Sequence, residues 1–209
     1  MLAIWHDIAP GHAAEVREWY AREHHFERLA IPGFREVRRF ERVSGTGAEI
    51  FGVYRVDTTQ VLHSPAYRAR IDAPTEWTRS AMRSFRNMSR TVCGIVAQAG
   101  CAQGGHLAVL ASAGGALRDP QATCMRLASL QGVLQVTALR ADPAPGMDAT
   151  AEQALRGGPD TRVAWALLLD ADGPDAAEGA LQATQEHTDC RGAVQFAVYR
   201  LSFAARTPD

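Results

Sequence analysis

The residues best suited to chemistry lie in one stretch, EWYAREHHFERLAIPGF, at positions 18–34. Two adjacent histidines, His24 and His25, stand there among acidic and aromatic residues. Imidazole titrates near neutral pH, so a histidine that lines a pocket can act as a general acid or base. We take His24 as the candidate catalytic residue, with Tyr20 and Glu23 as the hydrogen-bond partners that would orient its ring.

These residues must be positioned by a helix, predicted over residues 10–30. Proline excludes the residue before it from the α region, so the helix should end at or just before Pro32. At about 100° per residue the apolar side chains form one stripe. Its members are Val16, Trp19, Tyr20, Phe26 and Ala30. We therefore expect Trp19 and Phe26 to pack on a sheet.

The polar residues of this helix fall at different angles from the stripe. Glu23 lies near its centre, His24 lies at its edge, and His25 points to solvent. Tyr20, His24 and Arg28 follow one another at intervals of four, share one helix edge, and could hydrogen-bond in sequence. His24 is accordingly expected to border a cavity between the helix and the sheet.

A purely structural explanation competes with the catalytic one. Glu23 and His24 could pair with arginines of the sheet and simply hold the helix in place, and spacing alone favours this reading, because structural ion pairs also perturb pKa values. If His24 is catalytic, its replacement by alanine should abolish turnover at little cost in stability, since an edge residue fills little core volume.

Two polar residues of the first predicted strand are candidates for contacts with a substrate. His6 is in phase with the apolar residues of that strand, while Asp7 lies on the opposite face with Trp5. A lone histidine on an apolar strand face is more often a satisfied core residue than a ligand. One of these two polar side chains could nevertheless face a cavity.

Three more residues complete the predicted substrate-binding set. Trp19 belongs to the helix already described, and His63 and Tyr67 lie at helical spacing around Pro65, where they would border the same pocket. No metal site is predicted, because adjacent histidines face about 100° apart and shared coordination on a helix needs i, i+4 spacing. There is no phosphate loop, no GxGxxG and no GxSxG, so no cofactor is expected.

Composition bounds the possible partners. The 209 residues carry a formal net charge of -1, which gives no electrostatic footprint for nucleic acid or an anionic membrane. Neither a signal peptide nor an apolar run of membrane-spanning length is present. We therefore expect a soluble, cytoplasmic protein. Its four cysteines lack paired spacing and are expected to be free thiols. They are Cys93, Cys101, Cys124 and Cys190.

The order of predicted elements is βαββαβ, and it occurs twice. Strands are predicted at 2–8, 34–43, 49–57 and 88–98, with a helical region at 59–86, before a Gly-rich hinge at 99–105. The second half has strands at 106–112, 133–141, 161–170 and 192–203, and helices at 119–131 and 174–184. The polar loop 141–160 is read as a connector, with a lid as the alternative.

This duplication predicts an α+β protein made of tandem ferredoxin-like βαββαβ units. The first half would span residues 1–100 and carry the site, and the second, degenerate half would span 101–209. Strands 2–8, 106–112 and 161–170 are apolar on both faces, so each sheet must bury its second face as well. The two antiparallel sheets are therefore expected to pack against each other within one chain.

Longer motifs resemble a known superfamily. WHDIAPGHAAEVREWYAREHHFERLAIPGF, GVYRVD, SPAYRARI, PTEWT and FRNMSR are similar to the dimeric α/β-barrel superfamily, and within it to an uncharacterised branch near the EthD-like proteins. The similarity covers residues 2–97, and the remainder only by architecture. Phe26 stands where the related pattern usually has a proline. The second half lacks the Trp-Tyr and Glu-His pairs, so the resemblance implies one site. Its most specific elements are Trp19-Tyr20, Glu23-His24, Glu27-Arg28-Leu29 and Ile31-Pro32-Gly33-Phe34.

The resemblance implies an intramolecular version of the α/β barrel but leaves the chemistry open, since the superfamily includes cofactor-free monooxygenases, isomerases and haem proteins. We expect a cofactor-independent enzyme that performs proton-transfer, isomerase or monooxygenase-like chemistry on a mainly apolar small molecule. A non-catalytic module that binds a hydrophobic ligand, or a stress-related one, is the first alternative. Haem binding through His6, His24 or His63 is the second. Pairing of two chains as a homodimer is a further expectation.

Overall fold

A computed structural model describes residues 1–143, 150–156, 159–188 and 192–207. These residues contain eight strands. The strands are β1 (Leu2–Ile8), β2 (Phe34–Thr46), β3 (Ile50–Val56), β4 (Phe85–Gly100), β5 (His106–Ser112), β6 (Val133–Ala141), β7 (Trp165–Ala171) and β8 (Ala193–Arg206). Helices separate them except between β2 and β3 and between β4 and β5. Within the described residues, no helix has both the length and the apolar character needed to cross a membrane.

The helices lie between the strands in the predicted order. A 3₁₀ segment (Thr59–His63) precedes α3, and a π-helical segment (Tyr20–His24) joins α1 to α2. The α-helices are α1 (Ala13–Trp19), α2 (His25–Leu29), α3 (Pro65–Asp72), α4 (Glu76–Arg83), α5 (Pro120–Ala128), α6 (Ala151–Leu155) and α7 (Pro174–His187). Helix α6 lies within the predicted connector 141–160, while residues 144–149 and 157–158 of that connector lie outside the described residues.

All eight strands form one closed antiparallel barrel in the order β1-β3-β2-β8-β5-β7-β6-β4. The first four strands are arranged as β4-β1-β3-β2 and the last four as β8-β5-β7-β6, so both halves of the chain have the same internal order. The halves were expected to press face to face. In the structure the two halves are hydrogen-bonded along both edges, where β2 pairs with β8 and β4 pairs with β6. This pairing satisfies the backbone groups that free sheet edges would leave open.

The barrel interior is filled by apolar side chains from every strand. Alternate residues of β1, Ala3 and Trp5, join this interior cluster, while Leu2 and Ile8 belong to separate clusters that pack against helices. Side chains of a strand alternate between its two faces, so the even-numbered residues of β1 lie under the helices. His6 is therefore on the outer, helix-covered face of the barrel, where a site built on α1 and α2 can reach it.

Most predicted boundaries agree with the structure to within a few residues, and β4 is longer than predicted at both ends. This strand continues to Gly100, into residues predicted to be a hinge, because its second part pairs with β6 over Cys93–Gly100. Helix α5 begins as predicted after Asp119, whose side chain accepts a hydrogen bond from the backbone N–H of Ala122 at 3.0 Å.

The described cysteines are free thiols, in agreement with the prediction, and Cys190 lies outside the described residues. Cys93 and Cys124 are buried, and burial raises the pKa of each thiol to about 11. Cys101 is exposed.

We predict that a thiol reagent labels Cys101 of the native protein much faster than Cys93 or Cys124. The thiolate is the reactive form of cysteine. The raised pKa keeps the other two cysteines protonated at neutral pH, and burial keeps the reagent away from them. Mass spectrometry after brief labelling at neutral pH measures the difference. Equal labelling of the three in the folded protein would contradict the burial described here.

Candidate functional site

The helix that carries the candidate residues is interrupted by a π-helical segment. Helix α1 runs to Trp19, residues Tyr20–His24 form the π segment, and α2 continues to Leu29, so the helix ends before Pro32 as predicted. The backbone N–H of His25 donates to the carbonyl of Tyr20, five residues earlier. Single π turns within α-helices occur frequently at functional sites.

The π segment shifts the buried face of the helix by one residue. Trp19 packs on His24 with ring centroids 4.2 Å apart, and Tyr20 stacks on His25 at 4.7 Å, both at a spacing of five. Two predictions were wrong for this reason. His25 is buried rather than solvent-exposed, and Phe26 is 52% exposed rather than packed on the sheet. The prediction that Trp19 packs inward is confirmed.

His6 and Tyr20 form a buried hydrogen-bonded pair. The Nε2 atom of His6 lies 2.8 Å from the Tyr20 hydroxyl, and its Nδ1 lies 3.1 Å from the backbone carbonyl of Asp7. Since a carbonyl only accepts, Nδ1 carries the proton, and Tyr20 donates to Nε2. Phe85 stacks on the His6 ring at 3.9 Å. His6 thus has partners for both nitrogens, as expected of a core histidine.

His25 forms a second pair with a tyrosine, one that the sequence pattern did not indicate. Its Nδ1 is 2.9 Å from the hydroxyl of Tyr54, a residue of β3. The ring is enclosed between Tyr20 and Phe203, whose centroids are each 4.7 Å away. Its Nε2 is buried and has no hydrogen-bond partner among the described residues.

His24 lies between these two pairs and differs from them. It is 5% exposed, with its ring next to Trp19 and edge-on to Tyr20, whose centroid is 5.4 Å away. Its Nδ1 is buried and has no hydrogen-bond partner within the described part of the chain. A buried polar atom without a partner costs free energy, so such an atom calls for an explanation.

All three imidazoles are held in the neutral form. Burial, the largest cause in each case, lowers the pKa of His6 to about 4 and the pKa values of His24 and His25 well below the ordinary value. Nearby guanidinium groups add to the effect, with Arg28 acting on His24 and Arg39 on His25. Burial likewise raises the pKa of the Tyr20 hydroxyl, which keeps it protonated.

Glu23 does not orient His24 in this structure. Its Oε1 accepts hydrogen bonds from the hydroxyls of Thr75 at 2.6 Å and Thr78 at 3.2 Å, at the start of α4. The Trp19 indole N–H donates to the same Thr78 oxygen at 3.2 Å. The π shift moves Glu23 off the buried face, and its contacts fasten α4 to the site helix.

We predict that Thr78→Val lowers the free energy of unfolding by about 1–2 kcal/mol, because it removes the partner of a buried indole N–H. Valine keeps the shape of threonine, so the loss reports the hydrogen bonds. Urea unfolding monitored by tryptophan fluorescence measures the change, with the exposed Thr161→Val as the control. A stability within error of wild type would show that the Thr78 contacts contribute nothing.

A buried ion pair lies one helical turn beyond His24. Arg28 of α2 is paired with Glu152 of α6, and their side chains are 4% and 8% exposed. The guanidinium stands over the ring of Tyr67 at 6.0 Å, and Arg90 donates to the Tyr67 hydroxyl at 2.9 Å. The Nη1 of Arg28 is buried without a hydrogen-bond partner among the described residues.

Two predicted site residues are not brought into this cluster. Asp7 lies at the end of the barrel, where it accepts from the backbone N–H of Glu49 at 2.8 Å and from Asn87 at 2.7 Å. His63 is half-buried in the 3₁₀ segment, and its ring contacts none of the described rings of the cluster. Glu23 faces α4, and the other predicted residues are buried between the helices and the barrel. They are His6, Trp19, Tyr20, His24 and Tyr67.

The fold is similar to that of solved structures. An anthrone oxidase-like protein matches with a TM-score of 0.62 and 9% identity, covering 98% of this chain and 91% of the other. A provisionally assigned chlorite dismutase matches with a TM-score of 0.54 and 9% identity, covering 97% and 93%. A provisionally assigned monooxygenase from Fusobacterium nucleatum subsp. nucleatum has a TM-score of 0.49 and 8% identity, over 98% and 93%.

No protein-family model and no curated protein matches the chain. At these identities the structural likeness concerns the fold and does not select a reaction. The chain therefore shares its overall fold with these solved structures, and its barrel is closed by the eight strands of one polypeptide.

Proposed function

We propose that the chain is a small-molecule enzyme in which His24 takes a proton from a mainly apolar substrate. The observation that carries this proposal is the unpartnered, buried Nδ1 of His24 beside the π-helical segment. A neutral imidazole can serve as a general base only if one nitrogen is free to receive a proton. Trp19 and Tyr20 pack against the His24 ring, so its surroundings are aromatic and mainly apolar.

The other two histidines have structural roles at the site and are not the proposed base. His6 has both nitrogens engaged. His25 bonds Tyr54 through Nδ1, and although its Nε2 has no partner among the described residues, its ring is stacked between Tyr20 and Phe203. The His6–Tyr20 pair fixes the Tyr20 ring, against which the edge of His24 rests. In this arrangement His24 moves the proton, while Tyr20 and His6 hold the local geometry.

The predicted substrate class is an apolar compound with an acidic C–H near a carbonyl, and anthrone is a suitable probe of that class. One structural neighbour is an anthrone oxidase-like protein, which suggests the compound, and the unpartnered nitrogen of His24 is the group that would accept its proton. The base removes one methylene proton, and the electrons of the broken C–H bond move to the carbonyl oxygen, forming an aromatic oxyanion. Return of a solvent proton to the carbon restores the ketone.

The test follows this step alone, without oxygen. Anthrone is incubated with the protein in D₂O under nitrogen, and the incorporation of deuterium is compared with buffer. We predict that His24→Gln lowers the protein-dependent rate by about 10²–10⁴-fold, the usual contribution of general base catalysis. His25→Gln is the matched control, because an amide can still bond Tyr54. Equal rates for wild type and His24→Gln would contradict the proposal.

The variant should be glutamine rather than alanine. His24 was expected to fill little core volume, but it is buried against Trp19, so alanine would leave a cavity that lowers stability by itself. Glutamine preserves most of the volume and separates the loss of the base from the loss of packing.

The alternatives give different results in the same preparation. A hydrophobic-ligand-binding or stress-related module would raise its melting temperature with anthrone and exchange no protons. Haem fits poorly at His6, whose two nitrogens are bonded and whose ring is stacked on Phe85. Absorption near 400 nm in the purified protein would favour haem. To test the monooxygenase chemistry, the assay is repeated in air and the formation of anthraquinone is measured.

We also infer that residues 1–100 and 101–209 are copies of one ferredoxin-like unit. The equal strand order of the two halves supports this inference. The site would lie in the first copy and take Glu152 and Phe203 from the second. The proposed relationship to the EthD-like branch rests on the residue pattern at 19–34. We also propose a cytoplasmic location and the pairing of two chains as a homodimer.

A further inference from the structure

Several buried polar atoms at the site lack hydrogen-bond partners among the described residues, His25 Nε2 included, and two of them lie one helical turn apart. These two are His24 Nδ1 and Arg28 Nη1, on side chains that are 5% and 3% exposed. Residues at i and i+4 share one face of a helix, with Cβ atoms about 6 Å apart. The two side chains therefore share one face of the helix, and they are close enough for the charge of Arg28 to contribute to the lowered pKa of His24.

We propose that Arg28 Nη1 binds an anionic oxygen of the substrate while His24 Nδ1 receives the proton. This inference rests on the proposed function and adds a substrate class, namely aromatic compounds that carry an oxyanion or form one when they lose a proton. A guanidinium donates strong hydrogen bonds to carboxylate and enolate oxygens.

The charges around His24 explain why both groups are needed. Burial and the neighbouring Arg28 lower the pKa of His24, which makes it a weak base on its own. Proton transfer creates a positive imidazolium next to a guanidinium, and this is unfavourable in a site with little water. The same step places a negative charge on the substrate oxygen, which attracts both the His24 imidazolium and the Arg28 guanidinium and offsets their repulsion. Proton transfer to His24 is therefore favoured when the substrate oxyanion is bound at Arg28.

Glu152 is the resident anion of this subsite. It bonds Nη2 of Arg28 from α6 and leaves Nη1 without a partner. The other groups at Arg28 supply no negative charge, since Tyr67 presents its ring and its hydroxyl accepts from Arg90. Glu152 therefore partly neutralises Arg28 in the free protein, and its removal should leave more positive charge for an incoming anion.

The test compares a negatively charged probe with its neutral analogue. Benzoate and benzyl alcohol share the same ring, and binding of each is followed by NMR of the imidazole C–H resonances. We expect wild type to prefer benzoate, and Glu152→Gln to bind benzoate about tenfold more tightly, the equivalent of about 1.4 kcal/mol. Benzyl alcohol binding should stay unchanged in that variant.

A second variant removes both charges together. Arg28→Met alone would leave Glu152 buried and unpaired, so Arg28→Met with Glu152→Leu is the matched control. It should keep its affinity for benzyl alcohol and lose the preference for benzoate. The inference would be overturned if neither wild type nor Glu152→Gln bound benzoate more tightly than benzyl alcohol. It would also be overturned if the double variant still preferred benzoate.

These outcomes are separate from those of the proposed function. Loss of the benzoate preference with His24-dependent deuterium exchange intact would overturn the anion subsite alone. Benzoate binding at Arg28 without any His24-dependent exchange would overturn the proton transfer alone.

Discussion

Replacing Arg38 with methionine is expected to destabilise the protein by about 3–5 kcal/mol, the usual cost of breaking a buried ion pair from one side. Arg38 of β2 pairs with Asp170 of β7, and their side chains are 5% and 1% exposed. The guanidinium also lies 5.3 Å from the ring of Phe40, a residue of the interior cluster. The variant would leave the Asp170 carboxylate buried, and among the described residues the backbone N–H of Gly104, at 3.3 Å, would be its remaining donor.

Urea unfolding at neutral pH measures this loss. The control replaces both partners, Arg38→Met with Asp170→Leu, and should recover most of the stability, because apolar pairs of similar volume often substitute for buried ion pairs without cost. A loss below about 1 kcal/mol for Arg38→Met alone would mean that the pair is solvated.

Acid should destabilise the protein well above the pH at which carboxylates titrate. The pKa of His6 is about 4 in the folded protein and about 6.5 when unfolded, so the unfolded state binds more protons between these values. Stability is fully present above about pH 6.5 and lost as the pH falls toward 4, by about 3 kcal/mol for His6 alone. About 2 kcal/mol of this should disappear between pH 7 and 5. The lowered pKa values of His24 and His25 act in the same direction.

The measurement is the free energy of unfolding at several values between pH 7 and 5. His6→Gln keeps an acceptor for the Tyr20 hydroxyl and removes the titrating group, so its stability should depend less on pH than that of wild type. A wild-type stability that stays constant over this interval would contradict a cluster of buried neutral imidazoles.

The elements of the barrel were largely predictable from the sequence. Strands such as β5 and β6 agree with their predicted bounds, because apolar and β-branched residues between turn signals define them well. The edge-to-edge closure was not predictable, since it depends on pairing between β2 and β8, which are more than 150 residues apart. Hydrophobic patterns report that a face is buried and not which strand lies beside it.

The site was predictable only in part, and the reason is one π turn. A projection at a fixed angle placed His25 in solvent and Glu23 in the apolar stripe, and it was correct for Trp19, which precedes the turn. After the π segment each side chain is shifted by one position, which buries His25 and exposes Phe26. No residue type marks a π turn, so the shift leaves no signal in one sequence.

Long-range partners were also beyond a reading of the sequence. Tyr54 lay in a predicted strand and Glu152 in a predicted connector, with nothing to indicate that they contact His25 and Arg28. Both contacts depend on how the helices pack on the barrel. Tertiary packing determines that arrangement, and local helix propensity does not.

The most direct test of the central claim is the nitrogen NMR spectrum of His24 in ¹⁵N-histidine-labelled protein, with and without anthrone. Histidine-to-glutamine variants assign the signals. We predict that His24 stays neutral as the pH falls below the ordinary imidazole pKa, because burial and Arg28 lower the pKa of its ring. We also predict that anthrone shifts a ring nitrogen of His24 and leaves those of His6 nearly unchanged. A His24 ring that titrates near pH 6.5 like a solvated imidazole, and does not respond to anthrone, would contradict the central claim.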